Sequence, residues 1–120
     1  MDEPARLISL SQAPFASNAL REGLDVALVA AAFGQPVTLL FVGAGALALV
    51  KGQTAGASGQ KAVLPTIEML EMYDIDELLV PRSSLEALGL APEELIKAAR
   101  VIEDEAVAAL YQRSIDVLHF

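Results

Sequence analysis

Residues 19–42 decide the fold, and they read ALREGLDVALVAAAFGQPVTLLFV. Apolar residues in the first part recur at the three- and four-residue spacing of an α-helix, and Asn18 directly before them is a preferred N-cap residue. Gly34-Gln35-Pro36 ends that helix, because proline fixes φ and lacks a backbone N–H. The run Val37–Val42 is apolar without alternation, as in a central parallel strand covered on both faces. The stretch therefore predicts a helix over 19–33 followed by a buried strand.

Shorter helical patterns and shorter apolar strand runs alternate along the rest of the chain. Apolar runs predict further strands at residues 7–10, 78–80, 96–98 and 117–120. Helical patterns predict helices at residues 44–50, 62–72 and 103–112, and one from Ser83 or Ser84 to Gly89. Strands that alternate with helices indicate an α/β fold, with a mostly parallel sheet of about five strands and right-handed crossovers.

Length, composition and charge limit the classes of function that the chain can have. The chain has 120 residues, which suits a single domain over 1–120, and 54% of them are hydrophobic. So high an apolar fraction in a small domain indicates that partner subunits cover part of its surface. The net charge of −8 repels phosphate backbones, which argues against direct nucleic-acid binding through a basic groove.

The chain contains no cysteine, so it has no thiol that could act as a nucleophile or carry sulfur. The N-terminal residues lack the basic and apolar regions of a secretory signal, and we expect a soluble cytoplasmic protein. Residues 26–50 hold no charged residue. However, Gly34-Gln35-Pro36 interrupts them, which favours a buried helix, turn and strand over a membrane span.

The motifs that could bind a ligand are incomplete. Gly43-Ala44-Gly45 resembles a dinucleotide-binding turn, but Ala48 stands at the third glycine position, which favours a simple tight turn. His119 is the only histidine. With no second histidine and no cysteine, it favours neither a catalytic triad nor a metal site. We therefore expect no cofactor and no metal.

One alternative from another functional class stays open. Ser11, Ser17 and Asn18 lie in the loop after the first predicted strand. Ligands of parallel sheets bind beyond the carboxyl ends of the strands, where this loop lies. A small flavin- or anion-binding α/β enzyme that uses the loop Ser11–Asn18 is that alternative.

Several segments, taken in order, form a pattern that covers almost the whole chain. They are Arg21-Glu22-Gly23-Leu24-Asp25, Gly52-Gln53, Tyr73-Asp74-Ile75, Leu79-Val80, Ser84-Leu85, Gly89-Leu90 and Asp116–Phe120. In order and spacing they resemble the TusC/DsrF subunits of the DsrE/DsrF/DsrH-like sulfur-relay family.

The resemblance implies the three-layer α/β/α fold of that family and a hetero-hexamer with TusB/DsrH-like and TusD/DsrE-like sibling subunits. It also implies a non-catalytic structural subunit of a TusBCD-like complex. Such a complex passes persulfide sulfur from a TusA-like to a TusE-like carrier, for 2-thiouridine formation in tRNA wobble positions. The alternative within the family is the DsrF subunit of the DsrEFH complex, which serves dissimilatory sulfur oxidation.

The resemblance further implies which residues matter. The family's sulfur-bearing cysteine belongs to the TusD/DsrE-like subunit, in the turn after its third strand, and the equivalent turn here holds Arg82, Ser83 and Ser84. Structural or interface roles are expected at Arg21, Glu22, Gly23, Asp25, Gln53, Tyr73 and Asp74. Of these, Arg21 and Asp25 have the spacing of a pair along one helix face. Ser83 is predicted to cap the helix that follows.

Overall fold

The computed structural model of the chain describes residues 5–14, 16–51, 64–75 and 77–120. The strands are β1 (Arg6–Leu10), β2 (Val37–Phe41), β3 (Leu78–Pro81), β4 (Ala99–Ile102) and β5 (Val117–His119). The α-helices are α1 (Ala19–Ala32), α2 (Leu64–Met69), α3 (Arg82–Leu88) and α4 (Asp104–Arg113). Within the same residues, 3₁₀ helices span Gly43–Leu49, Leu70–Tyr73 and Pro92–Glu94.

The described strands form one sheet of five, in the order β4-β3-β2-β1-β5. β1 and β2, both inside the sheet, pair over their full lengths, from Arg6 beside Val37 to Leu10 beside Phe41. Every neighbouring pair is parallel, so the carboxyl ends of all the strands lie at one edge. The predicted α/β fold with a mostly parallel sheet of about five strands is confirmed.

The helices divide between the two faces of the sheet. Ile8, Leu39 and their neighbours on one face are buried in a single cluster with side chains of α1, α2 and α3. On the other face Leu7 and Leu40 pack with Leu110 of α4. Alternate residues of one strand point to opposite faces, which accounts for the two clusters. In the described part of the chain the fold therefore has three layers, with α4 alone on one side.

α1 forms where its spacing predicts it but ends at Ala32, one residue before the predicted end. Asn18 is the N-cap, yet its side chain makes no capping hydrogen bond. Instead, the Ser17 hydroxyl accepts the N–H of Ala19 at 3.2 Å. Gly34, just beyond the helix, has a φ of 79°, the left-handed conformation that glycine adopts without strain. A glycine turn thus ends the helix before Pro36.

β4 occupies Ala99–Ile102 rather than the predicted residues 96–98. Residues 96–98 instead turn the chain, because the Ile96 N–H donates to the Leu49 carbonyl and the Ala99 N–H donates to the Ile96 carbonyl. β4 is an edge strand, and the described burial of its residues is intermediate or exposed. The prediction placed the strand at the apolar Ile96. It missed β4 because β4 has no continuous buried pattern.

The predicted helix over 62–72 divides into α2 and a 3₁₀ helix, Leu70–Tyr73. Asp74 ends this segment with a φ of 63°, and its N–H donates to the Glu71 carbonyl at 3.1 Å. A non-glycine residue in this conformation is uncommon, although aspartate is among those that tolerate it. The predicted helix over 44–50 is likewise a 3₁₀ helix, which begins at Gly43.

Residues 26–50 fold as the predicted helix, turn and strand, continued by the 3₁₀ helix Gly43–Leu49. β2, at the centre of this segment, is buried along its whole length. Across the described ranges no helix is both long enough and apolar enough to cross a membrane. Burial within the sheet thus explains the uncharged residues of β2.

Candidate functional site

The candidate site lies where β2, β3 and β4 end. The turn Pro81-Arg82-Ser83-Ser84 leaves β3 and begins α3 at once. Gly43 follows β2 on one side of this turn, and Glu103 and Asp104 follow β4 on the other. This is the edge of a parallel sheet at which ligands usually bind.

Arg82 is held by Glu103. Its Nε donates a hydrogen bond to Glu103 Oε2 at 2.8 Å, and 48% of the Arg82 side chain remains exposed. This hydrogen bond, followed by the negative charge of Glu103, raises the pKa of the Arg82 guanidinium above its usual value. Arg82 is therefore always charged, but a carboxylate from its own chain balances that charge.

Ser83 does not cap α3, and that prediction was wrong. The N-cap of α3 is Pro81, without a side-chain capping hydrogen bond, because the helix begins directly where β3 ends. Ser83 lies inside the first turn, too far along the helix for its hydroxyl to act from the N-cap position. Its backbone N–H donates to Asp104 Oδ1 at 3.3 Å. A carboxylate after β4 thus binds one of the first N–H groups of α3.

Ser84 makes a contact that the sequence did not predict. Its hydroxyl accepts the Gly43 N–H at 2.9 Å, although the two residues are 41 positions apart. Ser84 is buried, with 7% of its surface exposed. The bond ties the first turn of α3 to the loop after β2. A sequence holds no local signal for such a contact, because neither residue predicts the other's position.

We expect Ser84→Ala to destabilise the fold by about 1–3 kcal/mol, because it leaves the partly buried Gly43 N–H without its acceptor. The matched control is Ser83→Ala, at an exposed position whose hydroxyl has no capping role. That change should cost under about 0.5 kcal/mol. Urea unfolding of the two variants measures the difference. Equal losses would show that the Ser84 hydroxyl contributes nothing specific.

Within the segment Arg21–Asp25, the structure gives Gly23 a role in packing. A Cβ at Gly23 would overlap the Leu10 side chain and lie 3.1 Å from the Phe120 ring. Glycine therefore lets α1 pass closely over Leu10 and Phe120 without displacing their side chains. Arg21 is half-buried, whereas Glu22 and Asp25 are exposed. Their predicted structural or interface roles remain predictions, as does the pairing of Arg21 with Asp25.

The remaining predicted positions do not join the turn after β3. Tyr73 and Asp74 end the 3₁₀ segment that precedes β3, at the opposite, amino edge of the sheet, and both are exposed. Gln53, with Gly52, lies outside the described residues. The structure therefore separates the predicted motif positions into different regions.

The comparisons with known proteins agree with this fold. The chain matches the model of the DsrE/DsrF-like family over residues 6–120. The chain belongs to this family. It is 39% identical to a protein named Protein TusC homolog from Pseudomonas aeruginosa over 107 residues, which are 89% of this chain and 90% of the relative. It is 34% identical to the Intracellular sulfur oxidation protein DsrF of Allochromatium vinosum, over 89% of this chain and 77% of that protein.

A solved member of the same fold extends the comparison. The crystal structure of the ychN protein from Escherichia coli superposes with a TM-score of 0.84, covering 98% of this chain and 99% of that one. The sequence identity is 18%, so this likeness concerns the fold alone. It agrees with the three-layer architecture that the resemblance to the DsrE/DsrF-like family implied.

The glycines and hydroxyls of the two other candidate loops serve the packing of this family member. A Cβ at Gly45 would overlap the backbone carbonyl of Leu10, so Gly45 permits close packing against β1. Ser11 donates its hydroxyl to the Phe120 carbonyl at 3.1 Å, and Ser17 accepts a backbone N–H at the start of α1. These contacts weaken the alternative of a flavin or anion site in the loop Ser11–Asn18.

The outer face of α1 forms an apolar surface at the amino edge of the sheet. Phe33 is 81% exposed and Val29 is 58% exposed. They line a groove of about 350 Å³ together with Val26, and Arg6 and Asp25 lie at its border. Exposed apolar side chains that lie together in one groove indicate a surface that another chain can cover. We call this groove and its residues the α1 surface.

Proposed function

We propose that this chain is a non-catalytic structural subunit of a TusBCD-like sulfur-relay complex that supports persulfide transfer for 2-thiouridine formation in tRNA wobble positions. The 39% identity to the TusC homolog over most of both chains supports this role. The observation that carries it is the turn Pro81–Ser84. There, Arg82 and Ser84 are held by groups of their own chain, and no residue has a thiol.

The chemistry of sulfur relay explains why this turn supports a structural role. Transfer occurs when a thiolate attacks the outer sulfur of a persulfide, so that one S–S bond forms as another breaks and a thiolate leaves. A serine hydroxyl cannot form that S–S bond. The resemblance to the family implies that the reacting cysteine of the proposed complex belongs to the TusD/DsrE-like sibling. In this chain the equivalent turn joins the ends of β2, β3 and β4.

The proposed partners are TusB/DsrH-like and TusD/DsrE-like siblings in a hetero-hexamer, in the cytoplasm. The α1 surface supports stable association, because obligate interfaces are more apolar than the rest of a protein surface. The exposed Asp25, which lines the groove, provides a polar contact that orients a partner. The assembled complex then meets the TusA-like and TusE-like carriers.

A second candidate is the DsrF subunit of a DsrEFH complex in dissimilatory sulfur oxidation. The 34% identity to the DsrF protein of Allochromatium vinosum supports it. Thiolated tRNA separates the two candidates, because only the first leads to it. Deletion of this chain should abolish wobble 2-thiouridine in the first case and leave it unchanged in the second.

Persulfide transfer in the reconstituted complex tests the proposed role. Transfer to the TusE-like carrier should require this chain for assembly of the complex, yet should not require the hydroxyls of its turn. Transfer that proceeds at an unchanged rate without the chain would contradict a structural role in the relay.

A further inference from the structure

α4 covers its face of the sheet incompletely. The residues at 106, 109, 110 and 113 follow helical spacing, so they lie on one side of α4. Leu110 is the only one of them that is buried. Ala106 and Ala109 are exposed and line the space beside β3 and β4 with only a methyl group each. A cavity of about 340 Å³ remains there, which we call the α4 cavity.

The α4 cavity is half open, and both apolar and charged residues line it. Leu79 and Ile102 of the sheet and Leu110 of α4 form the apolar wall. Arg100 pairs in register with Leu79, which places both side chains on the face that α4 covers. Arg113, at the end of α4, lines the cavity from the helix side. Two guanidinium groups thus border one cavity in a chain with a net charge of −8.

These two arginines are less closely paired with carboxylates than Arg6 and Arg82 are. Arg6 and Arg82 make ion pairs at 2.9 and 2.8 Å. By contrast, Arg113 Nη2 lies 3.9 Å from Glu77 Oε2, beyond the range of a charge-assisted hydrogen bond. Arg100 takes part in none of the ion pairs among the described residues. With Glu77 included, the charged groups that line the cavity sum to one net positive charge.

We propose that the α4 cavity binds a small organic monocarboxylate. The carboxylate would lie between Arg100 and Arg113, because a guanidinium presents paired donors that match the two oxygens of a carboxylate. The apolar part would pack against Leu79, Ile102 and Leu110. One net positive charge matches a monoanion better than a phosphate dianion, which Glu77 would repel more strongly than it repels a carboxylate. The volume lies within the range typical of small-molecule sites, and the site is independent of the proposed sulfur relay.

The probe for this site is hexanoate, titrated by calorimetry into the full chain together with any subunits that co-purify. We expect saturable binding, and binding of inorganic phosphate at least about tenfold weaker. Arg100→Gln and Arg113→Gln should each weaken hexanoate binding about tenfold or more, as expected for the loss of a charge-assisted hydrogen bond. Lys97→Gln is the control, since it removes the same charge from an exposed side chain that does not line the cavity.

A second pair of variants tests the cavity without changing charge. Ala109→Leu fills the space beneath α4 and should abolish binding, whereas Ala108→Leu, at an exposed position outside the lining, should bind as the wild type does. Thermal unfolding checks that both variants fold. No saturable hexanoate binding to the wild type would overturn the proposal. Equal binding by Ala109→Leu and Ala108→Leu, or by Arg100→Gln and Lys97→Gln, would also overturn it.

Discussion

Phe33→Asp should release this chain from its proposed complex while leaving its own fold intact. The side chain is 81% exposed in the isolated chain, so replacing it removes little core packing. At an interface, the loss of a central aromatic anchor costs about 2 kcal/mol or more, and a buried, unpaired carboxylate adds a further penalty. We therefore expect affinity for the siblings to fall by at least about thirtyfold.

Co-expression with both siblings, followed by size-exclusion chromatography, measures this effect. The wild type should elute with them as one complex, and Phe33→Asp should elute apart from them. Gln112→Asp is the matched control, because it adds the same charge to an exposed position on α4, away from the α1 surface. If Phe33→Asp and Gln112→Asp both assembled normally, the α1 surface would not be an interface. Wild-type chain that remained a stable monomer beside both siblings would contradict association altogether.

Gly45→Ala should cause the largest loss of stability among single methyl additions at the described glycines. The new Cβ would overlap the carbonyl group of Leu10, which is backbone at the end of a buried strand. Moving that carbonyl would also disturb its hydrogen bond from the Val42 N–H, at 3.0 Å. Because backbone inside a sheet cannot shift as a side chain can, we expect a cost of about 3 kcal/mol or more.

Gly34→Ala provides the comparison for Gly45→Ala. Gly34 has a φ of 79° with open space where a Cβ would lie, so the substitution costs only the left-handed conformation, about 1–2 kcal/mol. Urea unfolding with unchanged denaturant dependence would report both losses on one scale. A Gly45→Ala variant no less stable than Gly34→Ala would show that the loop after β2 is not held against β1.

The sequence predicted those parts of the fold that depend on the local pattern of apolar, glycine and proline residues. Residues 19–42 contain their own helix spacing, turn residues and buried strand run, and α1 and β2 formed within one residue of the expected bounds. β4 could not be placed, because an edge strand with the exposed Arg100 lacks a continuous apolar pattern. The sequence also predicted a helix over 62–72. The structure ends this segment with a 3₁₀ helix and the left-handed Asp74, and that ending depends on how the segment meets β3.

In the candidate site, too, the local features could be predicted from the sequence and the contacts between distant residues could not. The turn after β3 could be located from the sequence, since it follows an apolar run that ends in proline. Its contacts could not, because Ser84 bonds to Gly43 and Arg82 to Glu103, partners brought near only by the order of the strands. Local propensity made Ser83 the obvious cap, whereas strand β3 runs directly into α3 and leaves it no capping position.

The most direct test of the structural role is a labelled-persulfide transfer assay on the reconstituted complex, with Ser83 and Ser84 both changed to alanine. Assembly must first be confirmed by chromatography, since we expect the Ser84 change alone to weaken the fold. With the complex intact, the rate of transfer to the TusE-like carrier should stay within a few-fold of the wild-type rate. A thousandfold loss, equivalent to about 4 kcal/mol of activation free energy, would contradict the account and place this turn in the chemistry.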